Sequence, residues 1–197
     1  MLAEISRSVR IQRTKIRVES CALLVIDMQR LFLDSKMVLS APVIIPRVNR
    51  LIQAFRRRNR PIIFTRHVNS PANSGMMQEW WGDLISPDDP RSLLDKRIDA
   101  ATAVITKSQY DAFYGTNLEE TLKRDSITQV VICGVVTHLC CETTARSAFC
   151  RGFSVIFPPD ATASYNRSLH QASLLTLCHG FVYPMLVDDI VAGLEQA

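Results

Sequence analysis

The sequence predicts a three-layer α/β/α domain, doubly wound, with a six-stranded and mainly parallel sheet in the middle. Three observations carry this. Six short apolar runs recur along the chain, and helical patterns follow them. Within the runs, apolar and polar residues do not alternate, the pattern of strands buried on both faces. Strand and helix also alternate strictly, which implies crossover helices and parallel pairing. No internal repeat and no second domain is visible. Residues 1–18 read as a basic extension and residues 19–197 as one domain.

The elements follow in order. CALLVID (21–27) is the first strand, and PVIIPRVNRLIQAFRRR (42–58) carries apolar residues at helical spacing. PIIFTRH (61–67) is the second strand. A long connection then runs from Val68 to about Arg91 and contains MMQEWWGDLI and PDDP. AVITK (103–107) is the third strand. TNLEETLKRDS (116–126) is a helix with Thr116 or Asn117 near its cap. QVVICGVV (129–136) is the fourth strand, and CCETTARSAFCRG (140–152) a helix closed by Gly152. FSVIFPP (153–159) and FVYPML (181–186) are the last two strands. RSLHQASLLTLCHG (167–180) and VDDIVAGLEQ (187–196) are their helices.

Composition bounds the function. The chain has 197 residues, 47% hydrophobic and 21% charged, which suits one soluble domain with a sizeable core. No apolar run approaches the ~18 residues of a membrane span. The net charge of +4 is mild. Basic residues gather at Arg7, Arg10, Arg13, Lys15 and Arg17, and again at Arg56, Arg57, Arg58 and Arg60. The first cluster lacks a following apolar segment, so it is no secretory signal and reads as a solvated extension or helix end. Neither cluster has the aromatic interleaving of a nucleic-acid site. Six cysteines show no CxxC pair and no zinc spacing, and several sit inside apolar runs. A reducing, cytoplasmic location is expected.

Ligands of open parallel sheets bind beyond the carboxyl ends of the strands. Those ends carry Asp27, then Arg66 and His67, then Lys107, then GVVTHLCC. Each has an ordinary explanation: an Asp after a strand is often a turn residue, and a strand-end Lys can snorkel to water. Together they put an acid, a cation and a thiol on one sheet edge. Helical spacing separates the two adjacent thiols. Cys141 shares a stripe with Ala145, Ala148 and Phe149, which is the core-facing one. Cys140 points away, with Thr143, Thr144 and Ser147, at a helix start that favours an anion and should lower a thiol pKa. A vicinal disulfide between the two would be strained. His138 is a second candidate base for Cys140. Asp27 is the better one, because the Lys107 cation keeps the carboxylate ionised and steadies a thiolate.

LLVIDMQ, VITKSQYDAF and GVVTHLCCETTARSAF, in this order, resemble the isochorismatase-like cysteine hydrolases. The likeness runs from about residue 19 to the end. It implies that family's fold and an Asp27–Lys107–Cys140 triad, with Gly134, Val135, Thr137 and Cys140 matching G-V-x-T-x-x-C. It further implies a cis peptide between Val135 and Val136, and an oxyanion hole of the Val136 and Cys140 backbone N–H groups. The implied reaction is acyl transfer through a Cys140 thioester on a small amide, carbamoyl or ureido compound, with no cofactor. The cysteine argues for C–N cleavage rather than vinyl-ether cleavage. The D-x-H…H metal pattern of nicotinamidases is missing: Thr65 stands where the Asp should be, and His67 has no second His nearby. One His does not hold a metal, so no metal is expected, and nicotinamide is disfavoured as substrate. DMQRLF departs from the family's DMQNDF at Arg30 and Leu31. Relatives form dimers or tetramers, so a homodimer or homotetramer is expected, with 68–91 a candidate surface. The alternatives are a vinyl-ether hydrolase, a nicotinamidase, or a non-catalytic binding or assembly protein.

Further residues are candidates for the pocket. Phe32, His67, Trp80, Tyr110 and Thr137 are expected to touch substrate, although Tyr110 has an equal claim to the core, and one of Trp80 and Trp81 could simply pack under its loop. Arg66 and His67 would suit a substrate carboxylate. Glu142 and Arg146, at i and i+4, read as a structural ion pair, and Asp160 as a turn residue.

Overall fold

The computed structural model describes residues 2–34, 38, 40–100 and 104–196; Met1, Ala103 of the third predicted strand, and Ala197 lie outside the described residues. In chain order the elements are α1 (Leu2–Ser8), β1 (Cys21–Ile26), α2 (Arg30–Leu33), α3 (Ala41–Arg57), β2 (Ile62–His67), α4 (Met77–Trp81), β3 (Val104–Lys107), α5 (Leu118–Arg124) and β4 (Gln129–Val135). There follow α6 (Glu142–Cys150), β5 (Ser154–Phe157), β6 (Thr162–Ala163), α7 (Arg167–Gly180), β7 (Tyr183–Pro184) and α8 (Val187–Glu195).

Among the described residues every strand pairing is parallel, in the order β3-β2-β1-β4-β5-β7. The sheet has seven strands, one more than the sequence predicts. The extra strand, β6, pairs with the end of β4 through Gly134–Thr162 and Val135–Ala163. Two residues are too few to show strand periodicity, which is why the sequence assigns Thr162 and Ala163 to no element.

Period-2 geometry splits the apolar strands between two cores. Cys21, Leu23 and Val25 of β1 face one side, and Ala22, Leu24 and Ile26 the other. The first side is covered by Ile44, Ile45, Val48, Leu51, Ile52 and Phe55 of α3 and by Val187, Ile190, Val191 and Leu194 of α8. These spacings are helical stripes, so the buried face of each helix follows from its sequence. The second side is covered by α5, α6 and α7, through residues such as Leu118, Ala145 and Leu174. The stripe reading misplaces two residues. Phe149 is 49% exposed, with its ring edge on Phe181, while Thr144 is buried. Thr144 Oγ accepts the Ala112 N–H at 3.0 Å, so a polar side chain takes the inner position.

Nor is the N-terminal segment merely solvated. Ile5 of α1 is buried in the second core, and Glu4 meets Arg167 and Gln171 of α7 at 3.4 and 3.2 Å. The Gln129 side chain then clasps the backbone of Arg17 and Lys15 at 2.8 and 3.1 Å. The segment's apolar anchors are spread among arginines, so charge dominates its sequence pattern.

Chain order reverses between β1 and β4: β2 and β3 lie to one side, and β5 and β7 to the other. That is the switch point where such sheets leave a crevice. Gly134 lets the two strands meet there. Its φ is +117°, and a Cβ would lie 2.1 Å from the Ile26 carbonyl oxygen, so no other residue fits.

Candidate active site

Asp27 leaves the end of β1 with φ +46°, a left-handed conformation uncommon outside Gly, Asn and Asp. Its side chain is wholly buried. Thr65 on β2 holds it twice: the Asp27 N–H donates to Thr65 Oγ at 3.0 Å, and the hydroxyl donates to Asp27 Oδ1 at 2.6 Å. Thr65 therefore has a job of its own at the position where the nicotinamidase pattern places a metal-ligating Asp. Oδ2 faces Lys107 Nζ at 2.7 Å.

Lys107 is the last residue of β3, two strands away, and reaches across β2 under full burial. Besides Asp27, its ammonium lies 2.9 Å from the Gln109 carbonyl, 3.5 Å from Cys140 Sγ and 3.4 Å from His67 Nδ1. An ammonium has three protons for these four neighbours. The tautomer of His67 decides between the last two. Asn69 Oδ1 accepts the Ile85 N–H at 2.9 Å, so its amide nitrogen faces His67 Nε2 at 3.3 Å. Nε2 is thus an acceptor, the ring proton sits on Nδ1, and that proton goes to the Gln109 backbone. The third lysine proton is left for Cys140.

The electrostatics follow from burial and pairing. Burial alone would lower the pKa of Lys107, but Asp27 and Cys140 outweigh it, and the net direction is up. Burial, then the Lys107 charge, lower His67 to about 4, so the imidazole is neutral near pH 7. The expectation of a lowered thiol pKa at Cys140 is not met. Cys140 lies in a π-helical turn, Thr137–Cys141, ahead of α6 rather than at its first residue. It is buried, and that burial pushes the thiol up against the opposing pull of Lys107. The turn still separates the two thiols: Cys140 lines a cavity, while Cys141 is sealed in the core.

The cavity measures about 310 Å³. Phe32, Trp81, Tyr110 and Tyr165 give it aromatic walls; Val136 and Cys140 bring the thiol and the peptide after the cis bond; His67 and Asn69 are polar members. The Val135–Val136 peptide is cis. Two wider hollows, about 580 and 630 Å³, contain none of Asp27, Lys107 and Cys140, so size alone does not mark the site.

Of the expected pocket residues, Phe32, His67 and Tyr110 line the cavity. Trp80 does not; it is 75% exposed, and its neighbour Trp81 takes the place instead. On a five-residue helix the two adjacent rings must face different ways, and sequence could not say which faces in. Thr137 is also displaced: it is buried, with its hydroxyl 2.8 Å from His170 Nδ1. Arg66 is turned to the connection, donating to the Ser92 and Pro87 carbonyls, and does not line the cavity, while His67 is neutral, so neither offers the cavity a cation for a carboxylate. His138 is bonded to Ser164 at 2.6 Å and does not line the cavity. Glu142 and Arg146 do form an ion pair, at 2.6 Å. Asp160 receives the Val187 N–H at the start of α8.

Sequence reasoning missed Asn69, Tyr165 and the structural part of Gln29. The Gln29 amide joins the His67 backbone, at 2.8 and 2.9 Å, to the Ser92 carbonyl at 2.7 Å, tying the strand-two end to the long connection. As for metals, Asp27, His67 and Cys140 present ligand atoms within 4.8 Å of one another. The Lys107 ammonium already stands against all three, and its charge opposes a cation there.

Residues 21–189 match the isochorismatase domain. The chain belongs to the isochorismatase-like cysteine hydrolase family. Nicotinamidase 3 of Arabidopsis thaliana is 43% identical over 173 residues, covering 85% of this chain and 84% of that protein. N-carbamoylsarcosine amidase from Thermoplasma acidophilum has a similar structure, with TM-score 0.76 and 25% identity over 86% of this chain and 97% of that one. A cysteine hydrolase from Pseudomonas syringae pv. phaseolicola superposes with TM-score 0.91, covering 96% and 99% of the two chains; at 24% identity it speaks for the fold. Among the described residues, no helix of this family member is long and apolar enough to cross a membrane.

Proposed function

We propose that this protein hydrolyses the C–N bond of a small, uncharged amide through a Cys140 thioester, and that nicotinamide is the first substrate to test. The observation that carries the reading is the buried Lys107 ammonium, 2.7 Å from Asp27 and 3.5 Å from Cys140 at the edge of an aromatic cavity.

In the resting site one buried cation balances one buried carboxylate, and the thiol keeps its proton. When Cys140 passes that proton to Asp27, the net charge does not change. A buried thiolate forms beside Lys107 without adding a charge to the interior, which would otherwise be expensive. Sγ then attacks the amide carbon. The Val136 and Cys140 N–H groups take the oxyanion, and a single such donor is worth roughly 10²–10³ in rate. Asp27 hands its proton to the leaving nitrogen, the C–N bond breaks, and ammonia departs. Asp27 next accepts a proton from a water that attacks the thioester. The acid leaves, and Cys140 regains its proton.

Two observations favour an uncharged substrate. Arg91 lines the cavity but is bound to both Asp89 oxygens, and His67 is neutral. A carboxylate-bearing carbamoyl compound would find no unpaired cation among the described lining residues. The name of the 43% identical relative points the same way, against the expectation drawn from the missing metal pattern. Ammonia release from nicotinamide, benzamide and N-carbamoyl amino acids should be measured with Cys140→Ala as control. Release that survives Cys140→Ala, or release from the carbamoyl acids alone, would sink the reading.

A further inference from the structure

Tyr110 is joined to Trp81 across the cavity wall: the indole N–H donates to the Tyr110 hydroxyl at 2.6 Å. An indole nitrogen can only donate, whereas a phenol both donates and accepts. The bond therefore has one direction. Its acceptor side engaged, the Tyr110 oxygen holds its own proton pointing elsewhere, and no acceptor for it is found among the described residues. Burial also raises the pKa of the phenol, which keeps that proton in place.

The ring is held as well as polarised. Lys107 binds the Gln109 carbonyl one residue before it, and the Thr144 hydroxyl donates to the Tyr110 carbonyl at 3.4 Å. The Gln109 side chain donates to the Ser74 carbonyl at 2.9 Å, which fastens the same turn to the long connection carrying Trp81. Two neighbours differ in kind. The hydrogen bonds of His67 are committed, and the Tyr165 ring packs against the apolar core and against His138, with no hydrogen bond orienting its hydroxyl among the described residues.

We infer that Tyr110, oriented by Trp81, is a one-way hydrogen-bond donor that selects neutral aromatic amides carrying a second, uncharged acceptor, such as a ring nitrogen, over amides of equal size without one; this rests on the amidase reading above. The aromatic walls take the flat ring, Cys140 takes the amide carbon, and Tyr110 reads the far acceptor.

The test compares nicotinamide with benzamide, which has the same shape and amide but no ring nitrogen. The wild-type preference for nicotinamide in kcat/KM should fall about fivefold in Tyr110→Phe, the size of one neutral hydrogen bond. Trp81→Phe keeps a ring in the wall but frees the hydroxyl to turn, so the preference should fall by less. Binding to Cys140→Ala, followed by calorimetry, gives the same comparison without turnover. A Tyr110→Phe ratio equal to the wild-type one overturns the inference. So does Cys140→Ala protein that binds the two amides equally, or binds neither. Selective binding that Tyr110→Phe abolishes, with no ammonia released by the wild type, keeps Tyr110's role and removes the amidase reading instead.

Discussion

Replacing Lys107 with methionine isolates what the buried cation does. Both partners of the Lys107–Asp27 pair are fully shielded from water, so solvent does not discount their interaction. Methionine keeps the apolar stem and removes the charge. Asp27 then remains buried, with the Thr65 hydroxyl on Oδ1 and no cation opposite Oδ2. Removing one member of a buried pair costs about 3–5 kcal/mol. For a chain of this size that is a fall of roughly 6–20 °C in melting temperature. The cause is the orphaned charge rather than lost packing, which a second substitution separates. Adding Asp27→Asn to Lys107→Met removes the charge and should recover most of the lost stability, while both variants stay inactive. Urea unfolding followed by circular dichroism gives the midpoints, and unchanged slopes would show that the unfolded states compare fairly. If the double variant is as unstable as the single one, or if Lys107→Met unfolds within ~0.5 kcal/mol of the wild type, below the cost of an orphaned charge, the charge argument is wrong.

Three further outcomes are expected. His67 has its pKa depressed to about 4 from 6.5, so the unfolded chain binds more protons between those values. Wild-type stability should be full above pH 6.5 and decline by up to about 3 kcal/mol as pH falls through 4, and His67→Gln should flatten that limb of the pH–stability curve. Gly134→Ala should fail to give folded protein, because its methyl would overlap the Ile26 backbone at 2.1 Å; a soluble variant with a native circular dichroism spectrum would contradict this. Cys150 is exposed and Cys140 buried, so iodoacetamide should label Cys150 first without loss of activity; inactivation should track Cys140 alone in a Cys150→Ser background, as read by peptide mass spectrometry.

Residues whose role follows from local pattern were legible in the sequence, and residues whose role follows from a meeting of distant segments were not. Six of the seven strands and the buried stripes of α3 and α8 show themselves through period and apolar content, because burial leaves a repeating mark. The residues at the strand ends were legible for a related reason: parallel topology alone carries Asp27, Lys107 and the Cys140 turn to one edge, whatever their separation in sequence. What depth of burial does to a group is not written locally. Cys140 reads as a low-pKa thiol at a helix start, yet it is buried, at a cavity it shares with Phe32, Tyr110 and Tyr165 from three separate segments, and burial raises it. The same limit explains Trp80 and Trp81. Adjacent tryptophans on a short helix are equivalent until Tyr110 accepts a bond from one of them. Thr65 shows the limit from the other side. Judged against a metal pattern it is only a missing aspartate, while in the fold its hydroxyl both receives the Asp27 N–H and donates to the Asp27 carboxylate. The residue that takes the place of a metal ligand thus supplies a support for the Asp27 carboxylate, and the missing pattern does not by itself decide against nicotinamide as substrate.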